Sequence, residues 1–200
     1  MKKGLLMRFL PIWVLAGWAG AEPLPVVAIQ PLGPVKAELV RKVKEGIEGT
    51  YAVTVEVLPE KALPEVAYYK PRDRYKADEI LDVICKQEPA GEGKIVALTV
   101  RDISTITDKS DDWGIMGLGQ LGGRACVVST YRLGKGKVAE QVFLTRFIKV
   151  VNHELGHTYG LDHCPAQGCL MQDKRGKVAT VDAESGRPCA ECSARLPLRK

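Results

Sequence analysis

His153-Glu154-Leu155-Gly156-His157 sets two imidazoles four positions apart, a spacing that brings both onto one face of a helix. Two ligands do not complete a metal site. Gly160 offers a turn and His163 follows it three residues later, so three neutral imidazoles could hold a tetrahedral Zn2+ and leave one corner open for water. The chain has 3 histidines, and all lie in this stretch. Glu154 follows the first ligand directly and is spare for proton transfer. A metal lowers the pKa of its water to about 7, where a carboxylate can take the proton and later hand it to a leaving amine. A chance pattern on a solvent-facing helix, or a histidine satisfied in a core, accounts for the first pair but not for the glycine and the third histidine.

Beyond His163, Cys164, Cys169, Cys189 and Cys192 form a Cys-x4-Cys and a Cys-x2-Cys pair with 19 residues between them. That spacing is closer to a zinc site than to scattered staples, with two disulfides as the competing reading. Cys85 and Cys126 stand outside the pattern, as buried thiols or as a further bridge. Met171 taken alone reads as core packing.

The string His153 to Cys192, with Met171 after the first cysteine pair, resembles the archaemetzincins, a group within the metzincins. Gly122 to Leu133 resembles the same family less sharply. The resemblance implies an α/β (α+β) fold of minimal metzincin type: a mixed sheet, an active-site helix and a small zinc-stapled C-terminal subdomain, with a cleft between. It implies that His153, His157 and His163 bind a catalytic zinc and that Glu154 is the general base and acid. Met171 would form the turn under the metal, and Cys164, Cys169, Cys189 and Cys192 would hold a second, structural zinc. A peptide or protein is the substrate class so implied. No tyrosine follows Tyr159, so the tyrosine that some metzincins bring to the oxyanion from this turn has no counterpart.

These residues need a frame. Val26–Ile29 reads as a buried strand, and Val35, Leu39, Val43 and Ile47 recur every four positions as a helix that should stop at Gly49. Residues 51–57 alternate as a strand, Tyr75 to Cys85 reads as a helix and Lys94 to Val100 as another strand. This order predicts a parallel layer with right-handed crossovers. Trp113 to Leu121 and Ala125 to Thr130, joined through Gly122-Gly123, read as an antiparallel pair whose glycines suit a bulged edge or close backbone approach. Asp102, Asp108, Asp111 and Asp112 lack calcium-loop spacing and read as a solvated turn. One long helix is expected from Val138 to Tyr159. Leu144, Ile148, Val151 and Leu155 form one stripe, and His153 and His157 lie about 200° round from its last two members.

The chain divides into residues 1–21, an export signal, and 22–200, a single domain with an upper part 22–160 and a lower part 161–200. Lys2, Lys3 and Arg8 precede an apolar run that ends in Ala19-Gly20-Ala21. That run is shorter than the ~20 residues a membrane span needs, and Pro11 interrupts it. The expected location is therefore secreted or periplasmic, with no stable membrane association after cleavage, and the expected state is a monomer. With 46% hydrophobic and 26% charged residues the composition excludes disorder and a multispanning membrane protein. The formal net charge of +5 falls to +2 once the three cations of the signal are removed. That balance does not point to nucleic acid. A peptide-binding module that keeps the metal as a fold element is the alternative to an enzyme.

Overall fold

The computed structural model describes residues 24–86, 93–174 and 176–199; the export signal read at 1–21 lies outside the described residues. Four parallel strands form the main sheet: β1 (Val26–Leu32), β2 (Thr54–Val57), β5 (Lys94–Thr99) and β9 (Ala125–Ser129). A short antiparallel strand, β8 (Gly117–Gly119), closes one edge, giving the order β2-β1-β5-β9-β8. A second sheet joins β3 (Tyr68–Tyr69), β4 (Arg74–Lys76), β6 (Ile103–Thr107) and β7 (Ser110–Ile115) in the order β3-β4-β6-β7.

The period of two along each central strand sorts its side chains into two cores. Val27, Ile29, Val96, Leu98, Cys126 and Val128 face one core, shared with α1 (Ala37–Thr50) and α3 (Glu140–Thr158). Ile95, Ala97, Ala125 and Val127 face the other, covered by α2 (Ala77–Ile84) through Ile80, Leu81 and Ile84. Both faces are covered, as strands apolar on both sides require. Cys126 and Cys85 thus belong to opposite sides of the sheet, and both are free thiols, so no bridge joins them.

Four details depart from the sequence reading. Trp113 to Leu121 is two strands: β7 pairs with β6 in the second sheet and β8 with β9 in the first, the chain switching sheets at Met116. The aspartate-rich stretch is the β6–β7 hairpin, and Asp102 is 6% exposed, held between Arg74 and Arg132 instead of solvated. The second helix begins at Ala77 because residues 74–76 pair with β6. The long helix begins at Glu140, since Ala139 is still extended at ψ 141°.

The segment after Gly160 has two short helices, α4 (Val178–Ala183) and α5 (Ala190–Ser193). It builds no core alone. Leu161, Leu170, Met171, Val181 and Leu196 are buried in the same cluster as α1 and α3. Among the described residues no helix is long and apolar enough to cross a membrane.

Candidate active site

α3 ends where the site begins. Gly160 adopts φ +83°, its N–H reaches His157 O at 2.9 Å and that of Leu161 reaches Gly156 O at 3.4 Å, the paired bonds of a Schellman cap. The reversal returns the chain to the helix so that His163 meets His153 and His157, its ring centroid 5.4 and 4.9 Å from theirs. One donor atom from each of the three lies within 4.8 Å of the others.

Nδ1 of His153 lies 2.7 Å from Leu170 O, and Nδ1 of His157 lies 2.7 Å from Leu161 O. A carbonyl only accepts, so both Nδ1 atoms carry the proton and both Nε2 atoms present lone pairs. Those two Nε2 atoms are 3.1 Å apart. Lone pairs so placed repel unless a cation sits between them. Nitrogens ~2.0–2.1 Å from a tetrahedral zinc would stand ~3.3 Å apart, so the pair fits such an ion. Burial, and next the charge of Lys174, hold His153 well below the ordinary histidine range, and burial lowers His157, which keeps both rings neutral.

Glu154 is 8% exposed and lines the same cleft, a hollow of about 670 Å3. Burial lifts its carboxyl to about 8, against the charge of Lys174 and an N–H donated by Gly119. The glycines of β8 are explained here. A Cβ at Gly117 would lie 2.6 Å from Glu154 Cγ, and one at Gly119 would lie 2.4 Å from the Glu154 carbonyl oxygen. Only a bare backbone fits that close to the helix. Gly156 answers the same need on the next turn: Met171, fully buried, puts Sδ where a side chain there would begin, 2.4 Å from its Cβ.

The four tail cysteines also converge, as free thiols whose sulfurs all lie within 4.8 Å of one another. Cys164 and Cys189 are 3.8 Å apart. Sulfurs ~2.3 Å from a tetrahedral zinc stand ~3.8 Å apart, so this donor set fits that ion too. The backbone N–H of Cys192 leads the groups that bring the Cys189 thiol down to about 7, while burial pushes Cys192 up. His163 and Cys164 are adjacent, and Cys164 N–H bonds Met171 O at 2.8 Å, so one clasp serves both clusters.

Two site residues have no signal in the sequence. Lys174 and Glu184 form a buried ion pair behind the histidines, and Lys174 Nζ also donates to Leu170 O at 3.0 Å. In a polar tail both read as surface charges.

A mixed sheet over a helix carrying two of three histidines, with a buried glutamate among them, defines a zinc metallopeptidase of the metzincin kind. Residues 72–198 match peptidase family M54. An archaemetzincin of Haloarcula marismortui is 33% identical over 173 residues, 83% of this chain and 96% of that one. Crystal structures of archaemetzincins from Methanopyrus kandleri and Archaeoglobus fulgidus superpose with TM-scores of 0.74 and 0.72. They are 27% and 26% identical, covering 88% and 86% of this chain and 95% and 99% of theirs. The chain belongs to peptidase family M54, the archaemetzincins; it is a zinc-dependent hydrolase.

Proposed function

We propose that the chain hydrolyses peptide bonds with Glu154 as general base and then general acid. His153, His157 and His163 would hold one zinc at the reaction centre, and Cys164, Cys169, Cys189 and Cys192 a second that fastens the tail. Zinc, when bound, acidifies a water and polarises a carbonyl. The chain's own residues do the rest. Gly119 N–H holds the Glu154 carboxylate, which takes a proton from the attacking water and returns it to the amine nitrogen as the C–N bond breaks. Among the described residues the outer edge of β8 has no partner strand in its sheet, so an extended peptide can pair there with its scissile bond over the histidines. Met171 supports the two helical ligands through Gly156 without touching substrate.

The observation that carries this reading is the convergence of three imidazoles, two of them with Nε2 lone pairs turned toward each other, beside a buried carboxyl in one cleft. Glu154→Gln should retain zinc and lose hydrolysis. A variant that cleaves peptides as fast as the parent would overturn the mechanism.

We propose further that the protein acts outside the cytoplasm, secreted or periplasmic, after removal of residues 1–21, and that it neither binds nucleic acid nor stays on a membrane. Support comes from the basic and apolar pattern of residues 2–21 and from the charge of +2 that follows cleavage. N-terminal sequencing of exported protein should begin at Glu22, and cell-associated protein that retains Met1 would count against export.

A further inference from the structure

A second hollow, of about 510 Å3, opens beside the cleft, and half-exposed Trp113 lines both. Its wall carries four cations, Arg72, Arg74, Arg132 and Lys135, against two carboxylates, Asp102 and Asp112. Asp102 is committed to hydrogen bonds and Asp112 to ion pairs, the buried Oδ2 of Asp112 accepting no hydrogen bond among the described residues. Asp102 accepts from Arg132 Nε at 2.8 Å and Nη2 at 3.0 Å and stands 3.2 Å from Arg74 Nη2. Asp112 faces Arg72 Nε at 3.4 Å, Arg74 Nη1 at 3.5 Å and Lys76 Nζ at 3.3 Å.

Donor capacity is left over. The buried Nε of Arg74 has no acceptor among the described residues. Arg132 meets Asp102 through Nε and Nη2, which turns its Nη1 away from that carboxylate. The Arg72 side chain is 63% exposed, and Lys135 Nζ stands 4.9 Å from the ring centroid of Tyr131 on the same wall. The Arg132 guanidinium is also fixed before anything binds. A Cβ at Gly114 would lie 1.8 Å from its Nη2, so this place on β7 admits only glycine while the guanidinium lies across it. A network that merely tied the second sheet to the loop after β9 would not leave an excess of cations around an open space.

We infer that this hollow is a subsite for a carboxylate of the bound peptide, supplied by an aspartate or glutamate side chain or by the C-terminus, and reached past Trp113. Planar guanidiniums held in advance match a carboxylate in both charge and geometry. The inference rests on the reading of the neighbouring cleft as the peptide-binding cleft.

The test uses zinc-loaded Glu154→Gln protein and amidated nonapeptides in which one glutamate is walked along an otherwise neutral sequence, each paired with its glutamine twin. Binding is read by fluorescence anisotropy. At one position away from the scissile bond the glutamate peptide should bind at least tenfold more tightly than its twin. The ratio should fall to near one with Arg72→Ala and Lys135→Ala together, survive Arg72→Lys, and shrink as salt is raised. A second arm compares truncated peptides ending in a free carboxylate with their amides, which separates a terminal from a side-chain source. No preference in either arm, or one that persists in the double variant, overturns the subsite. Hydrolysis of the neutral peptides by the parent enzyme, measured alongside, reports on the cleft separately.

Discussion

Lys174 and His153 share one acceptor. The carbonyl oxygen of Leu170 lies 2.7 Å from His153 Nδ1 and 3.0 Å from Lys174 Nζ, and the lysine is itself anchored by buried Glu184. The carbonyl that fixes the tautomer and tilt of the His153 imidazole is thus held from behind by an ion pair. Such outer partners tune metal affinity by ~10–100-fold. Lys174→Met should weaken zinc binding at the histidine cluster by about tenfold, read by competition with a chromophoric chelator. It should also cost ~3–5 kcal/mol, because Glu184 is left buried without its cation. Replacing Glu184 by Leu in the same chain should recover most of the stability but not the zinc affinity.

The close approach of β8 to α3 gives a second expectation. Gly119→Ala drives a methyl into the Glu154 carbonyl and the His157 Cβ, at 2.4 and 2.9 Å. Backbone cannot step aside as a side-chain tip can, so the loss should be ~1–3 kcal/mol in denaturant unfolding. Gly117→Ala instead meets the Glu154 side chain, with Cγ at 2.6 Å and Oε1 at 2.8 Å. It should lower kcat while zinc content stays full, as a displaced base predicts.

The clustering of the three histidines is legible in sequence because they fall within one helix end and one turn: a period of 3.6, a glycine and three residues more are enough to bring them together. The parallel sheet is legible for a similar reason, since β-branched runs alternate with helical periods. Lys174 and Glu184 are not. Their types announce solvent, and only the packing of α4 on α3, through Val181 and the Lys149 bonds to the carbonyls of Val181 and Glu184, buries them. The break between β7 and β8 is equally silent, because no proline or turn dipeptide marks Met116. Asp102 reads as solvated until Arg74 and Arg132 arrive from distant strands and loops to pair with it.

Glu154 makes the metal-free site sensitive to pH in a definite direction. Its carboxyl moves from an ordinary value of 4.5 up to about 8 in the fold, first because of burial. A raised carboxyl pKa contributes stability that is present in full below the unfolded value and disappears as pH climbs through the folded one. With the histidine site emptied by a mild chelator, the parent should therefore lose stability relative to Glu154→Gln between about pH 4.5 and 8. The full span is on the order of 5 kcal/mol as an upper bound. His153 and His157, lowered by burial, act in the opposite sense below the ordinary histidine value of 6.5, so the slope should be clearest above it. Urea midpoints of the two proteins across that range check the sign. A difference that stays flat would mean that the carboxyl is already ionised without metal.

The cysteine cluster separates a metal from disulfides by reactivity. If one zinc holds Cys164, Cys169, Cys189 and Cys192, native protein should carry two zinc ions, and those four thiols should resist alkylation until a strong chelator removes the metal. Cys189→Ser should reduce the content to one zinc and loosen the tail. The effect should not stay there. Cys164 follows His163 directly, and its N–H bonds the carbonyl of Met171, the residue that fills the space beside Gly156. Loosening that clasp should release His163, the exposed member of the triad, before His153 or His157, which are held by their own carbonyl partners. Cys189→Ser should thus weaken zinc at the histidine cluster as well, by ~10-fold or more. Two blocked disulfides with a single zinc in the parent would contradict the arrangement.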